Sequence, residues 1–110
     1  MEYEPKIVMA ALELCGTPWH MGGRLPAVGL DCVGIIVCSA KKAGIPVADF
    51  NGYGHWPGFE LATDHAERIL TPIEVDDVSP GDVLLFKLPA EGGQHIGHFG
   101  LYIGAGRFVR

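Results

Sequence analysis

Cys32 is the residue of this sequence best placed to do chemistry. It follows Asp31 and opens the apolar run Cys32-Val33-Gly34-Ile35-Ile36-Val37. Asp is a strong N-cap, so the run reads as a helix that starts at Asp31 or Cys32 and ends at Gly44. A thiol at a helix start meets unsatisfied backbone N–H groups and the positive end of the dipole, which favour the thiolate. The same N–H groups could hold the oxyanion of a tetrahedral intermediate. A cysteine nucleophile also needs an imidazole to take and return its proton. His95 and His98 are the candidates, standing just before an apolar strand whose backbone can aim a ring, and the residues alone leave the two tied.

Other reactive side chains read differently. Cys38 lies six residues after Cys32, roughly 240° around the helix and about 9 Å along it, too far for a disulfide. Cys15 and Cys38 are expected as packing residues, and three cysteines cannot all pair. His95-Ile96-Gly97-His98 lacks the spacing of a zinc motif, so no metal is expected. His20 could border a cleft, His55 and Trp56 could line a groove, and His65 falls on the apolar side of a short helix. Gly22-Gly23 matches no phosphate loop, and Asp76-Asp77 marks a solvated turn.

The elements that must position these groups follow from pattern and punctuation. Ile7, Val8, Ala11, Leu12 and Cys15 share one face of a helix from Pro5 to Cys15, with Gly16 as its cap. Gly16 to Leu30 reads as an irregular loop. In the second helix Val33, Ile35, Ile36 and Val37 are β-branched and locally favour a strand. Both end signals argue for a helix nonetheless: Asp31 at the start, and Lys41, Lys42 and Gly44 at the end. Its nearly all-round apolar character implies burial. A long loop with Phe50, Tyr53 and Trp56 leads to a helix from Phe59 to Ile69. Strands are expected at Ile73 to Val75, Asp82 to Lys87, Phe99 to Ile103 and Arg107 to Val109, with turns at Ser79-Pro80-Gly81 and Gly104-Ala105-Gly106. Helices first and an antiparallel meander after is the α+β pattern.

Composition sets the outer limits. The 110 residues suffice for one domain, 1–110, and 48% are apolar against 19% charged, a globular balance. Thirteen acidic against eight basic residues give a net charge of -5, which excludes a surface built to track nucleic-acid phosphates. No apolar run is long enough to span a membrane. Met1-Glu2-Tyr3-Glu4-Pro5 lacks the basic start of a secretory signal, so a cytoplasmic or virion-associated protein is expected.

Four blocks then resemble a family. Gly16-Thr17-Pro18-Trp19-His20-Met21-Gly22-Gly23, Leu30-Asp31-Cys32-Val33-Gly34, Pro80-Gly81-Asp82-Val83-Leu84-Leu85-Phe86 and His98-Phe99-Gly100-Leu101-Tyr102-Ile103-Gly104 are similar, in order and spacing, to the NlpC-type cell-wall peptidases. Gly16-Thr17-Pro18 and Asp31-Cys32-Val33-Gly34 look most like versions from bacteriophage tail proteins. The resemblance implies a papain-like α+β fold, with N-terminal helices packed on an antiparallel sheet. It also implies cofactor-free hydrolysis of peptide-stem amides of bacterial peptidoglycan through an acyl-enzyme. The usual bond joins D-glutamate to a diamino acid. The nucleophile maps onto Cys32 and the base onto His98, which leaves His95 at the rim, while Trp19, His20 and Asp31 are expected at the substrate.

Two departures from that pattern bear on activity. Trp19 stands where the family commonly has a tyrosine, keeping an aromatic wall but offering only an N–H donor. The third polar position, which accepts from the base, falls on Arg110, whose guanidinium has donors and no acceptor. A cation there also opposes formation of the imidazolium. Further strands are usual beyond this point, so the sheet is expected to be short at its C-terminal side, with an exposed edge open to pairing. The Arg110 α-carboxylate is one substitute for the missing acceptor. The alternatives to a hydrolase are an acyltransferase and a module of a phage tail or cell-wall assembly that has lost its chemistry.

Overall fold

The computed structural model describes residues 4–50, 52–54, 58–90 and 93–110; His55 and Trp56, expected along a groove, lie outside the described residues. Three helices, α1 (Glu4–Glu13), α2 (Cys32–Lys42) and α3 (Glu60–Ile69), precede three strands, β3 (Val83–Ala90), β4 (Gly93–Gly104) and β5 (Arg107–Val109). These strands form one antiparallel sheet in the order β3-β4-β5. The α+β architecture expected from the sequence, helices packed on an antiparallel sheet, is the one observed.

Helix α2 forms despite its β-branched residues because both of its ends are satisfied. The Asp31 carboxylate accepts from the Gly34 N–H at 2.8 Å. At the other end Gly44 adopts φ +79, its N–H reaches the Lys41 carbonyl and the Ile45 N–H reaches Ala40, a Schellman closure. The helix joins two apolar clusters. Its C-terminal half brings Ala40 and Ala43 against Ile7 and Ala11 of α1, Leu101 of β4 and Val109 of β5. Its N-terminal half brings Cys32 against Phe59, Ala62 and Ala66 around α3 and Phe99 of β4, and Ile36 packs on both clusters.

Three elements differ from expectation. The loop between Gly16 and Leu30 contains a small antiparallel ribbon, β1 (Arg24–Leu25) with β2 (Gly29–Leu30), and a parallel bridge from Trp19 to Leu30. The strand expected at Ile73 to Val75 is absent: Val75–Asp77 is a 3-10 turn, and Ile73 and Val75 are exposed and paired with no strand among the described residues. Strand β4 begins at Gly93, six residues before Phe99, and pairs with a β3 that continues to Ala90.

Cys15 also differs, being exposed where packing was expected, whereas Cys38 is half-buried and donates to the Arg24 carbonyl at 3.4 Å. His65 packs as expected, stacked on Phe50 with its Nε2 at 2.7 Å from the Ala48 carbonyl.

Candidate active site

Asp31 is the anchor of the site. It is 1% exposed, and its carboxylate is ringed by donors from three separate segments. The Gly34 N–H and Arg24 Nη1 reach Oδ1 at 2.8 and 3.0 Å, while the Gly22 N–H at 2.7 Å and the Tyr53 hydroxyl reach Oδ2. A charge this deeply buried is tolerable only when paired and fully hydrogen-bonded, and here it is both. The expectation of a substrate contact from the Asp31 side chain does not fit this geometry, because the protein's own donors occupy both oxygens.

Arg24 and Tyr53 complete the anchor, and sequence reasoning assigned neither of them a part in it. Arg24 also bonds both oxygens of Asp49 at 3.1 Å, the Phe50 carbonyl at 3.1 Å and the Tyr53 hydroxyl at 3.0 Å. It thereby ties the ribbon to the loop before α3. Burial and the hydrogen bond to Asp31 hold the Tyr53 phenol well above its ordinary range. The only signal in the sequence was a lone arginine beside two glycines in an apolar loop.

Cys32 is the first residue of α2 and is 6% exposed. Asp31 takes the N–H of Gly34, while the backbone of Cys32 and Val33 acts on the thiol itself. Burial is the largest influence on the thiol and pushes it above its ordinary value, while hydrogen bonds from the backbone of Phe99, Val33 and Cys32 pull it down. The nearby Asp31 charge pushes it further up. The helix start acts in the direction expected, but burial outweighs it.

His98 is aimed by a bulge. Phe86 pairs with His98 and Lys87 pairs with Ile96, which leaves Gly97 without a partner. The extra residue changes the side-chain alternation, so that Ile96 and Phe99, three apart, both pack on the cluster around Cys32. A Cβ on Gly97 would lie 3.0 Å from Leu88 Cδ1. His98 rests beside Phe86 with ring centroids 5.9 Å apart, and its Nε2 is buried without a hydrogen-bond partner among the described residues. Burial, and secondarily the charge of Arg110, hold the imidazole below its ordinary range.

Cys32 and His98 meet in one cleft of about 200 Å³, whose walls include Trp19, Met21, Asp31, Phe59 and His95. His20 is exposed and does not line this cleft; its N–H bonds to the Leu30 carbonyl at 3.1 Å and helps hold Trp19 in place. Arg110 lines an adjoining trough that shares Trp19 and His98 with the cleft. Thiol, imidazole, two helix-start N–H groups and an aromatic wall suit acyl transfer from an amide.

Known proteins share this arrangement of sequence. The chain is 34% identical over 103 residues to a probable endopeptidase of Mycobacterium tuberculosis, covering 94% of this chain and 22% of that protein. It is 29% identical over 107 residues to the bifunctional muramidase/DL-endopeptidase CwlT of Bacillus subtilis, covering 97% of this chain and 29% of that one. It is 29% identical over 109 residues to the murein DD-endopeptidase MepH of Escherichia coli, covering 96% and 35%. The chain thus spans about a third or less of the length of these relatives. The sequence model of the NlpC/P60 family matches residues 16–110, a stretch that holds the anchor, the helix-start thiol and the bulged strand alike, and the chain belongs to that family.

Proposed function

We propose that this domain is a cysteine peptidase that hydrolyses peptide-stem amides of bacterial peptidoglycan, with Cys32 as nucleophile and His98 as general base. The observation that carries the reading is the convergence of Cys32 and His98, from opposite ends of the sequence, on one cleft. The relatives' names, endopeptidases of murein and of DL bonds, support the substrate class. They differ in the bond named, so the reading extends to the stem peptide and not to one linkage.

In this mechanism the imidazole takes the thiol proton as sulfur attacks the carbonyl carbon. The Cys32 and Val33 N–H groups receive the developing oxyanion. Collapse expels the amine, which takes the proton from His98, and leaves a thioester on Cys32. Water, deprotonated by His98, then releases the acid and frees the thiol. The steps need no cofactor, and an amine in place of water would make the same site a transferase. The domain would act at the bacterial cell wall, reached from the cytoplasm or on a virion. The likeness of Gly16-Thr17-Pro18 and Asp31-Cys32-Val33-Gly34 to phage tail proteins supports the virion route.

A second reading has one observation in its favour. Nε2 of His98 has no acceptor among the described residues and Arg110 stands nearby, as in an assembly module that has lost its chemistry. Incubation with purified stem peptides separates the two. Cleavage is expected, with kcat/KM falling by about 10⁴-fold or more in Cys32→Ala and in His98→Ala. No cleavage by the unmutated protein, or equal cleavage by the variants, overturns the peptidase reading.

A further inference from the structure

Beside Cys32's cleft, and sharing His98 with it, lies the trough of about 500 Å³. Its floor is aromatic. Phe86 of β3 and Phe108 of β5 cover Gly100 of β4, where a Cβ would lie 2.8 Å from the Phe108 ring, and their own centroids are 4.7 Å apart. Trp19, 58% exposed, forms the wall shared with the cleft. Among the described residues, two cations, Lys87 and Arg110, are the charged residues of the lining and no acidic residue joins them, although the chain as a whole carries a charge of -5. Both are exposed, and among the described residues neither side chain forms a hydrogen bond or an ion pair.

Two unpaired cations over an apolar floor attract an anion more strongly than the same charges in open water, because the floor lowers the local dielectric. A guanidinium is also shaped to take a carboxylate in two parallel hydrogen bonds. We propose that the Lys87–Arg110 trough binds a free carboxylate of the substrate, and that this carboxylate enables His98 by neutralising Arg110. The first half names a ligand class for the trough; the second gives Arg110 a part in place of the acceptor it cannot be. The proposal rests on the peptidase reading for the word substrate. Stem peptides suit it, since a D-glutamate joined through its γ-carboxyl keeps its α-carboxylate outside the amide backbone.

The electrostatics follow from what surrounds the ring. Besides Arg110, the titratable and charged groups around His98 are Lys87 from β3, Cys32 and Asp31 from the start of α2, and His95 from β4 itself. Burial and Arg110 together hold the imidazole low in the free protein, and a carboxylate on Arg110 removes the second of these influences. The base would thus gain strength when a substrate of the right charge is seated.

The test follows the His98 ring protons by NMR across a pH series, with glutarate as the probe and neutral glutaramide as the control, at constant ionic strength. Glutarate is expected to raise the His98 midpoint saturably, and glutaramide to leave it in place. In Arg110→Gln the midpoint is expected to lie higher from the start and to lose its response. Lys87→Gln, also an exposed change, is expected to weaken glutarate binding about three- to tenfold. An unmoved midpoint, or an equal response in Arg110→Gln, overturns the proposal. This readout needs no turnover, so it stands or falls separately from the peptidase reading. Where stem peptides are cleaved, a carboxamide in place of the carboxylate should cost kcat as well as KM, and equal kinetics would count against the proposal.

Discussion

Cys32 and His98 line the same cleft with both groups displaced toward their neutral forms, the thiol upward and the imidazole downward. Both displacements work against a preformed thiolate–imidazolium pair in the free protein. Peptide-resolved alkylation with iodoacetamide should find Cys32 slower at neutral pH than the exposed Cys15, with its rate climbing on the alkaline side. A Cys32 that reacts fastest at neutral pH would mean that the helix start, not burial, dominates the thiol. At this scale Cys32 and its cap were legible from an Asp before an apolar run. The depth of burial was not, because it depends on Phe59 and Phe99, which arrive from distant parts of the sequence. Arg24 and Tyr53 were illegible for the same reason: a charged residue in a loop shows no sign that a carboxylate will close over it.

At the scale of elements, two glycines carry the placement of the pair. A Cβ on Gly34 would stand 2.2 Å from the Gly23 carbonyl oxygen, a backbone atom that cannot move without shifting the segment holding Asp31. A Cβ on Gly97 would meet only the tip of Leu88, at 3.0 Å. Gly34→Ala should therefore cost about 1–3 kcal/mol of stability, and Gly97→Ala distinctly less. Urea unfolding of the two variants checks the order, and an equal or reversed cost would contradict it. Helix α2 was readable because its two caps outvoted its β-branched interior. The first half of β4 was not, since Gly-Gln-His-Ile-Gly lacks alternation and its strand character comes from pairing with β3. Conversely, Ile73 and Val75 had β propensity and no partner, so no strand formed.

For the whole molecule, the shifted groups set a window of stability. The fold holds His98 neutral, so below the ordinary imidazole value of 6.5 the unfolded chain binds more protons and stability falls with falling pH. The fold also holds Cys32 and Tyr53 protonated, so above their ordinary values of 9.0 and 10.0 the unfolded chain releases protons that the native one keeps. Stability then falls with rising pH. Urea midpoints should be highest between those limits and decline on both sides. A midpoint still rising beyond pH 9.0 would contradict the reading.

The ring of donors around Asp31 has a consequence for how such a sequence can vary. Its members come from the ribbon, the helix start and the loop at Tyr53, and each satisfies a group on another. Replacing Asp31 alone leaves Arg24 without its most deeply buried partner, and replacing Arg24 alone leaves a buried carboxylate short of a cation. Positions 24, 31 and 53 therefore form one physically coupled unit, in which a change at one site calls for a matching change at another. The nucleophile beside them is held in place by a sentence of three words, and none can be respelled by itself.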